Sequence, residues 1–189
     1  MAKILKQFDL SPDSISRAFL SELTTQTYLP KTQIEGVKLL DLRQIVDDGG
    51  MFAEVLRLDL SGFSEQFDGF QVRQASFSVV MPGVVKAFHL HYRQDDVWFV
   101  PPADRMLVGL VDARSASPTH GEQMRIVMGA GRTQLLFIPR GVGHGVTNQL
   151  PTPGTIFYFV NQQFNIDDPD ERRLPWDALG AEFWRMTPG

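Results

Sequence analysis

The chain has four histidines and no cysteine, so acid–base or metal chemistry near neutral pH falls largely to imidazole and carboxylate groups. The missing thiol removes thiolate nucleophiles, disulfides and Cys–zinc sites together. His89 and His91 alternate within AFHLHY. If that segment is a strand, its period of two sends both side chains to one face. His144 follows in GVGHG, and His120 in SPTHG reads as a surface or packing residue. A single strand histidine is readily satisfied by a main-chain carbonyl or by water. Two aimed at the inside of a barrel are costly unless they are paired or used. Used, an imidazole there serves as a general base or as a ligand to a transition metal.

The elements that must carry these histidines read as short strands between turns. VKLLDL is the first, followed by a turn at Asp47–Gly50; then come MFAEVLRLDL, QVRQASFSVV, VVKAFHLHY, VWFV, RMLVGLVDA, TQLLFIP, HGVTN and GTIFYFVN. Such spacing predicts a sandwich, jelly roll or barrel rather than alternating strands and helices. No GxGxxG or Walker pattern supports a Rossmann or P-loop fold. One helix is predicted near the start: Ser11 as N-cap, Pro12 and Asp13 in the first turn, and an apolar stripe of Ile15, Phe19 and Leu23. The tail from Asp167 to Trp184 is expected to carry turns and a short helix packing back on the barrel.

A chain of 189 residues with 43% apolar residues, 14 Phe and 3 Trp is long enough for one substantial core and too apolar for disorder. A net charge of −4 argues against non-specific nucleic-acid binding, which needs excess Lys and Arg. The opening MAKILKQFDLSPDS lacks the apolar run of an export signal, and no stretch approaches a membrane span. A cytoplasmic protein is expected, with no nucleic-acid or membrane partner.

Two half-motifs resemble those of the cupins. Gly83, five residues, then His89-x-His91 fit the first, while Pro139, Gly141, His144 and Asn148 fit the P-x-G-x-x-H-x-x-x-N of the second. The resemblance implies an all-β cupin or jelly-roll barrel, with residues 1–35 as an N-terminal helical arm and 36–189 as a single barrel domain with a C-terminal extension. Five further segments, DDGGMFAE, GVVKAFHLH, DARSASPTHG, FIPRGVGHG and PDERRLPWD, stand in the order in which the dTDP-4-dehydrorhamnose 3,5-epimerase family carries similar ones.

That resemblance implies an epimerase or isomerase that removes a proton beside the ketone of a nucleotide-linked 4-keto-6-deoxy sugar, without a cofactor. It makes His89 the base, with Tyr158 and His144 assisting. It assigns Phe52 and Glu54 to the nucleotide base, Lys86 to phosphate in place of an Arg, and Gln74 and His91 to the substrate pocket. A homodimer is implied too, since the family completes its nucleotide site with a neighbour's strand, on which Phe52 and Glu54 would lie. The chain departs from the family at several positions. The enolate-stabilising Lys falls on Val97, the second of two tyrosines on Phe164, a phosphate-side Arg on Gly49 and a substrate-side Asn on Ser76; the Asp partner of the base has no counterpart after Trp184. Ordinary double epimerisation therefore fits poorly, whereas one base working on one face suits single-site epimerisation or keto–enol isomerisation. Two other readings remain open. One is a metal-dependent cupin enzyme, with a divalent transition metal on His89, His91, Asp95 and His144; Asp96 stands beside Asp95 where the carboxylate is expected. The other is a non-catalytic nucleotide-sugar binding protein.

Overall fold

The computed structural model describes residues 11–25 and 33–186. The opening decapeptide and Pro30 lie outside the described residues. The chain divides into two compact units, Met1–Lys31 and Thr32–Gly189. In the first, the expected helix is replaced by two single turns: a 3₁₀ turn at Pro12–Ser14 and the four-residue α1 at Arg17–Leu20. Serines at 14 and 16 favour caps and turns over helix interiors, and Ser16 starts α1 afresh. Phe19 and Leu23, from the expected stripe, are exposed.

The second unit holds twelve strands: β1 (Lys38–Asp41), β2 (Ile45–Asp47), β3 (Gly50–Phe52), β4 (Gln74–Val80), β5 (Val85–Leu90), β6 (Asp96–Phe99), β7 (Arg105–Asp112), β8 (Gln123–Gly129), β9 (Gln134–Ile138), β10 (Val142–Asn148), β11 (Gly154–Val160) and β12 (Arg172–Arg173). Two five-stranded sheets run β1-β9-β6-β11-β4 and β12-β5-β10-β7-β8, with β2 and β3 forming a separate hairpin. All named pairings are antiparallel. Among the described residues no helix is long and apolar enough to cross a membrane.

Strand alternation divides the apolar side chains among three clusters. Trp98, Leu110, Leu136 and Ile156 belong to the main one, built from both sheets. Their neighbours Val97 and Leu135 turn the other way, against Phe67 and Phe70, so the segment after β3 covers the outer face of the first sheet. Val111 likewise turns outward, with Phe88, to meet Trp184 from a 3₁₀ turn at Ala181–Trp184, the expected return of the C-terminus. Two expectations change. Ile34 is 1% exposed in the main cluster, so it belongs to the barrel and not to the arm. MFAEVLRLDL is strand only as far as Phe52, because Val55 and Leu56 pack as part of the covering segment. β8 was not anticipated, although Met124, Ile126 and Met128 alternate and pack against the main cluster.

Candidate active site

One end of the space between the sheets is polar, and a cavity of about 860 Å³ opens there. The second sheet supplies His89 from β5 and His144 from β10; the first supplies Gln74, Ser76 and Ser78 from β4, Asp96 and Trp98 from β6, and Tyr158 from β11. β5 and β10 are paired so that His144 sits opposite His89, and the register slips by one between His144 and Val146. That irregularity is a bulge in β5, where Ala87 and Phe88 face the single Gly145 of β10. A Cβ on Gly145 would overlap the Ala87 methyl and stand 2.8 Å from Ala87 Cα, so glycine is what lets β10 approach β5 beside the histidines.

His89 is partly exposed, and its Nδ1 is 3.6 Å from Glu171 Oε1. Burial lowers the His89 pKa, Arg173 and His91 add to the effect, and the Glu171 and Asp96 carboxylates oppose it. The ring is therefore neutral at neutral pH, as a base must be. Glu171 is gripped by Arg173 through Nε at 2.9 Å and Nη2 at 2.5 Å. It arrives because β12 pairs with β5, placing Arg173 opposite His89.

The segment before β12 is tied to the loop after β5. Asp170 accepts main-chain N–H bonds from Tyr92 at 3.0 Å, Arg93 at 2.6 Å and Gln94 at 2.9 Å. Burial works against the Asp170 carboxylate, but these three donors prevail and hold its pKa below the ordinary value. Arg93 also pairs with Asp168 at 2.9 Å, and His91 Nδ1 donates to the Asp170 carbonyl. Residues 168–173 thus form a strap that delivers Glu171 to His89 and fixes the His91 ring.

Deeper in, His91, Asp96 and His144 are all buried. His144 Nδ1 donates to the Val142 carbonyl at 3.0 Å. A carbonyl can only accept, so both inner histidines carry their proton on Nδ1 when neutral; the His144 Nε2 lone pair turns toward Asp96, and His91 Nε2 accepts from the Gln94 amide at 3.3 Å. His144 Nε2 is 3.7 Å from Asp96 Oδ2, and His91 Nε2 is 4.0 Å from Oδ1. Asp96 is held by Gln94 Nε2 at 2.8 Å and Trp98 Nε1 at 3.0 Å. The His144 pKa is pushed down to about 4, chiefly by burial and despite Asp96. Trp98 meets the His144 ring edge-on at 5.1 Å between centroids and the Tyr158 ring at 5.4 Å, spanning the gap between the sheets. Burial raises the Tyr158 pKa, with a bond to Ser78 opposing, so the phenol keeps its proton and can donate it.

Of the residues expected at the site, His89, His91, His144, Tyr158, Gln74 and Lys86 line this one cavity. Gln74 accepts from Phe164 N–H at 2.9 Å. Phe52 and Glu54 do not reach it within the chain: Phe52 is exposed on the β2–β3 hairpin, and Glu54 pairs with Arg57 at 2.8 Å. His120 is exposed. The four-residue metal set is corrected in two places. Asp95 turns away to bind Arg140 and Asn161, because Asp96 and Trp98 share the inner face of β6 while Asp95 and Val97 lie out of phase with them. His89 faces Glu171, so the donors brought together are His91, Asp96 and His144. Sequence reading did not single out Glu171, Gln94 or Trp98. The alternation of Asp96 with Trp98 was a usable signal; nothing local marked Glu171.

Residues 31–184 match the family described as dTDP-4-dehydrorhamnose 3,5-epimerase. The chain is 46% identical over 144 residues to the spore coat polysaccharide biosynthesis protein SpsL of Bacillus subtilis, covering 76% of this chain and 91% of that protein. It is 32% identical over 146 residues to Agl13 of Haloferax volcanii, described as a probable low-salt glycan biosynthesis epimerase, covering 76% and 89%. A crystal structure of a dTDP sugar isomerase from Desulfovibrio desulfuricans superposes with a TM-score of 0.66 at 31% identity, covering 82% of this chain and 91% of that one.

Proposed function

The chain belongs to the dTDP-4-dehydrorhamnose 3,5-epimerase family of sugar epimerases, and from that membership we propose that it epimerises or isomerises a nucleotide-linked 4-keto-6-deoxy sugar by removing the proton beside the ketone. The observation that carries the proposal is His89: a neutral imidazole at the cavity wall with the Arg173-held Glu171 carboxylate 3.6 Å behind its Nδ1.

In this reading the His89 Nε2 lone pair takes the proton, and Glu171 orients the ring and favours the imidazolium as it forms. The electrons of the broken C–H bond move into an enolate, whose oxygen needs a donor. Tyr158 supplies one from the facing sheet, with its O–H kept protonated by burial. For epimerisation a water on the opposite face of the enolate protonates the same carbon while His89 releases its proton to solvent; for isomerisation His89 delivers its proton to the neighbouring oxygen or carbon. Phe164 carries no proton to give, which favours one-site over two-site inversion. Lys86, at the cavity wall, is suited to a phosphate oxygen as a point charge. Phe52 and Glu54 would serve the nucleotide only if the hairpin of a second copy reached this cavity.

The test is solvent exchange. The protein in D₂O, with and without chelator treatment, is given dTDP-4-keto-6-deoxyglucose and related nucleotide-linked ketoses, and deuterium in the sugar is read by NMR. Exchange at one carbon beside the ketone is expected, falling about 10²–10⁴-fold in His89→Asn, the range that a general base supplies. Binding of these sugars without exchange would overturn the proposal in favour of a nucleotide-sugar binding protein.

A further inference from the structure

The geometry points to a metal site that does not include the base: a divalent first-row transition ion held by His91 Nε2, the Asp96 carboxylate and His144 Nε2, with its remaining positions open to the cavity.

Three observations carry this. The donor atoms lie within 4.8 Å of one another, and all three residues are buried. They are also all acceptors toward the shared space, since the His91 and His144 N–H groups are spent on the carbonyls of Asp170 and Val142; the His91 acceptor is met by the Gln94 amide at 3.3 Å, which an ion would displace. At 3.7 and 4.0 Å the two Nε2 atoms are too far from Asp96 for hydrogen bonds. Donors each about 2.0–2.2 Å from an ion can stand up to about 4.4 Å apart, which covers both separations.

The second observation is charge. Asp96 is 4% exposed, yet its hydrogen bonds come only from the neutral Gln94 amide and the Trp98 indole. The nearby guanidinium groups are engaged elsewhere, Arg93 with Asp168 and Arg173 with Glu171. A buried carboxylate is normally paired with a cation or bound to a metal. The third is the outer layer. Each donor group has a fixed partner that sets its direction, with main-chain carbonyls behind both imidazoles, the arrangement that orients metal-binding histidines. Two imidazoles and one carboxylate suit Zn²⁺, Fe²⁺, Mn²⁺ or Co²⁺.

His89 stays outside the set because its Nδ1 faces Glu171. The ion would stand beside the base and offer an open position to a substrate ketone oxygen, an electrophile in a cavity from which Val97 is turned away to the outer face of its sheet. That use rests on the epimerase reading; the binding of the ion does not.

Cobalt tests it. The full chain, made without a metal-affinity tag, is stripped with chelator and titrated with Co²⁺ while visible absorption, bound metal and melting temperature are followed. One equivalent is expected, with d–d bands and a melting temperature that rises with Co²⁺ concentration. Asp96→Asn and His91→Gln should each weaken binding at least tenfold, and His89→Gln should leave it intact. Melting of each variant without metal shows that it is folded, and His144→Gln substitutes for any that is not. Failure of the native chain to take up Co²⁺ at 100-fold excess would overturn the site. So would uptake unchanged in Asp96→Asn, or uptake lost in folded His89→Gln. Deuterium exchange by stripped protein that takes up no Co²⁺ sinks the ion and leaves the epimerase; Co²⁺ uptake without exchange does the reverse.

Discussion

At the scale of single residues, the contact between His89 and Glu171 makes a kinetic claim. As the proposed base, His89 would work only when unprotonated, so kcat/KM should rise with pH through the His89 pKa and level above it. Since burial puts that pKa below the ordinary 6.5, activity should be fully present at neutral pH and fall only in more acid solution. Glu171→Gln removes a charge that raises the pKa. The acid limb should therefore move to lower pH, while the plateau drops roughly tenfold or more as the ring loses its orienting carboxylate. A limb that stayed in place would show that Glu171 does not act through His89. The three histidines of the cavity were legible in the sequence because H-x-H and the later His carry their own spacing. Asp96 was half legible: two adjacent aspartates were in view, and only the phase of Trp98 decides between them. Glu171 was not legible, because it meets His89 through a strand pairing that no local pattern announces.

Among the elements, the strap and the β5–β10 pair decide whether the site is assembled. Asp170→Ala leaves three main-chain N–H groups of the loop after β5 without their acceptor. Each lost charge-assisted bond is worth about 1.5–3 kcal/mol when buried and less here, where the loop is partly exposed. Faster amide exchange at Tyr92, Arg93 and Gln94 is expected, together with lowered kcat, since the same segment carries Glu171. Gly145→Ala should be worse. Its methyl must push β10 from Ala87 and the Lys86 carbonyl, and overpacking of this kind typically costs about 1–3 kcal/mol, occasionally more. A fall in melting temperature with loss of the His89–His144 pairing is expected; a native melting temperature would contradict the close approach. Most strands were readable from alternating apolar runs. The short β12 was not, because two arginines gain strand geometry only from β5 beside them.

Across the whole molecule, three buried or half-buried carboxylates share one tendency. For Asp95, Asp112 and Asp170, burial disfavours the charge, but hydrogen bonds and arginines win: Arg140 and Asn161 for Asp95, Arg114, Ser117 and Thr119 for Asp112, and the loop amides for Asp170. Their folded pKa values lie below the unfolded ones, so the stability they add is complete above about pH 5 and is lost progressively as pH falls further. His144, held down to about 4, and His89, also lowered, add a loss that begins below about pH 6.5, where the unfolded imidazoles take up protons and the folded ones do not. Melting temperature should therefore decline from about pH 6.5 and again below about 5; a curve flat down to about pH 5 would show that the two histidines are not held neutral by the fold. The barrel class was legible from many short strands, whereas the strand order was not, since it depends on partners distant in sequence. That order also governs how the protein is made. β1 waits for β9, β4 for β11 and β5 for β10 and β12, so on the ribosome the first five strands, apart from the β2–β3 hairpin, emerge without their sheet neighbours. The carboxylate behind the base, Glu171, follows β1 to β11 in the chain. A translating chain therefore exposes unpaired strand edges until β9, β10 and β11 have followed, and the candidate site is complete only once Glu171 has been added.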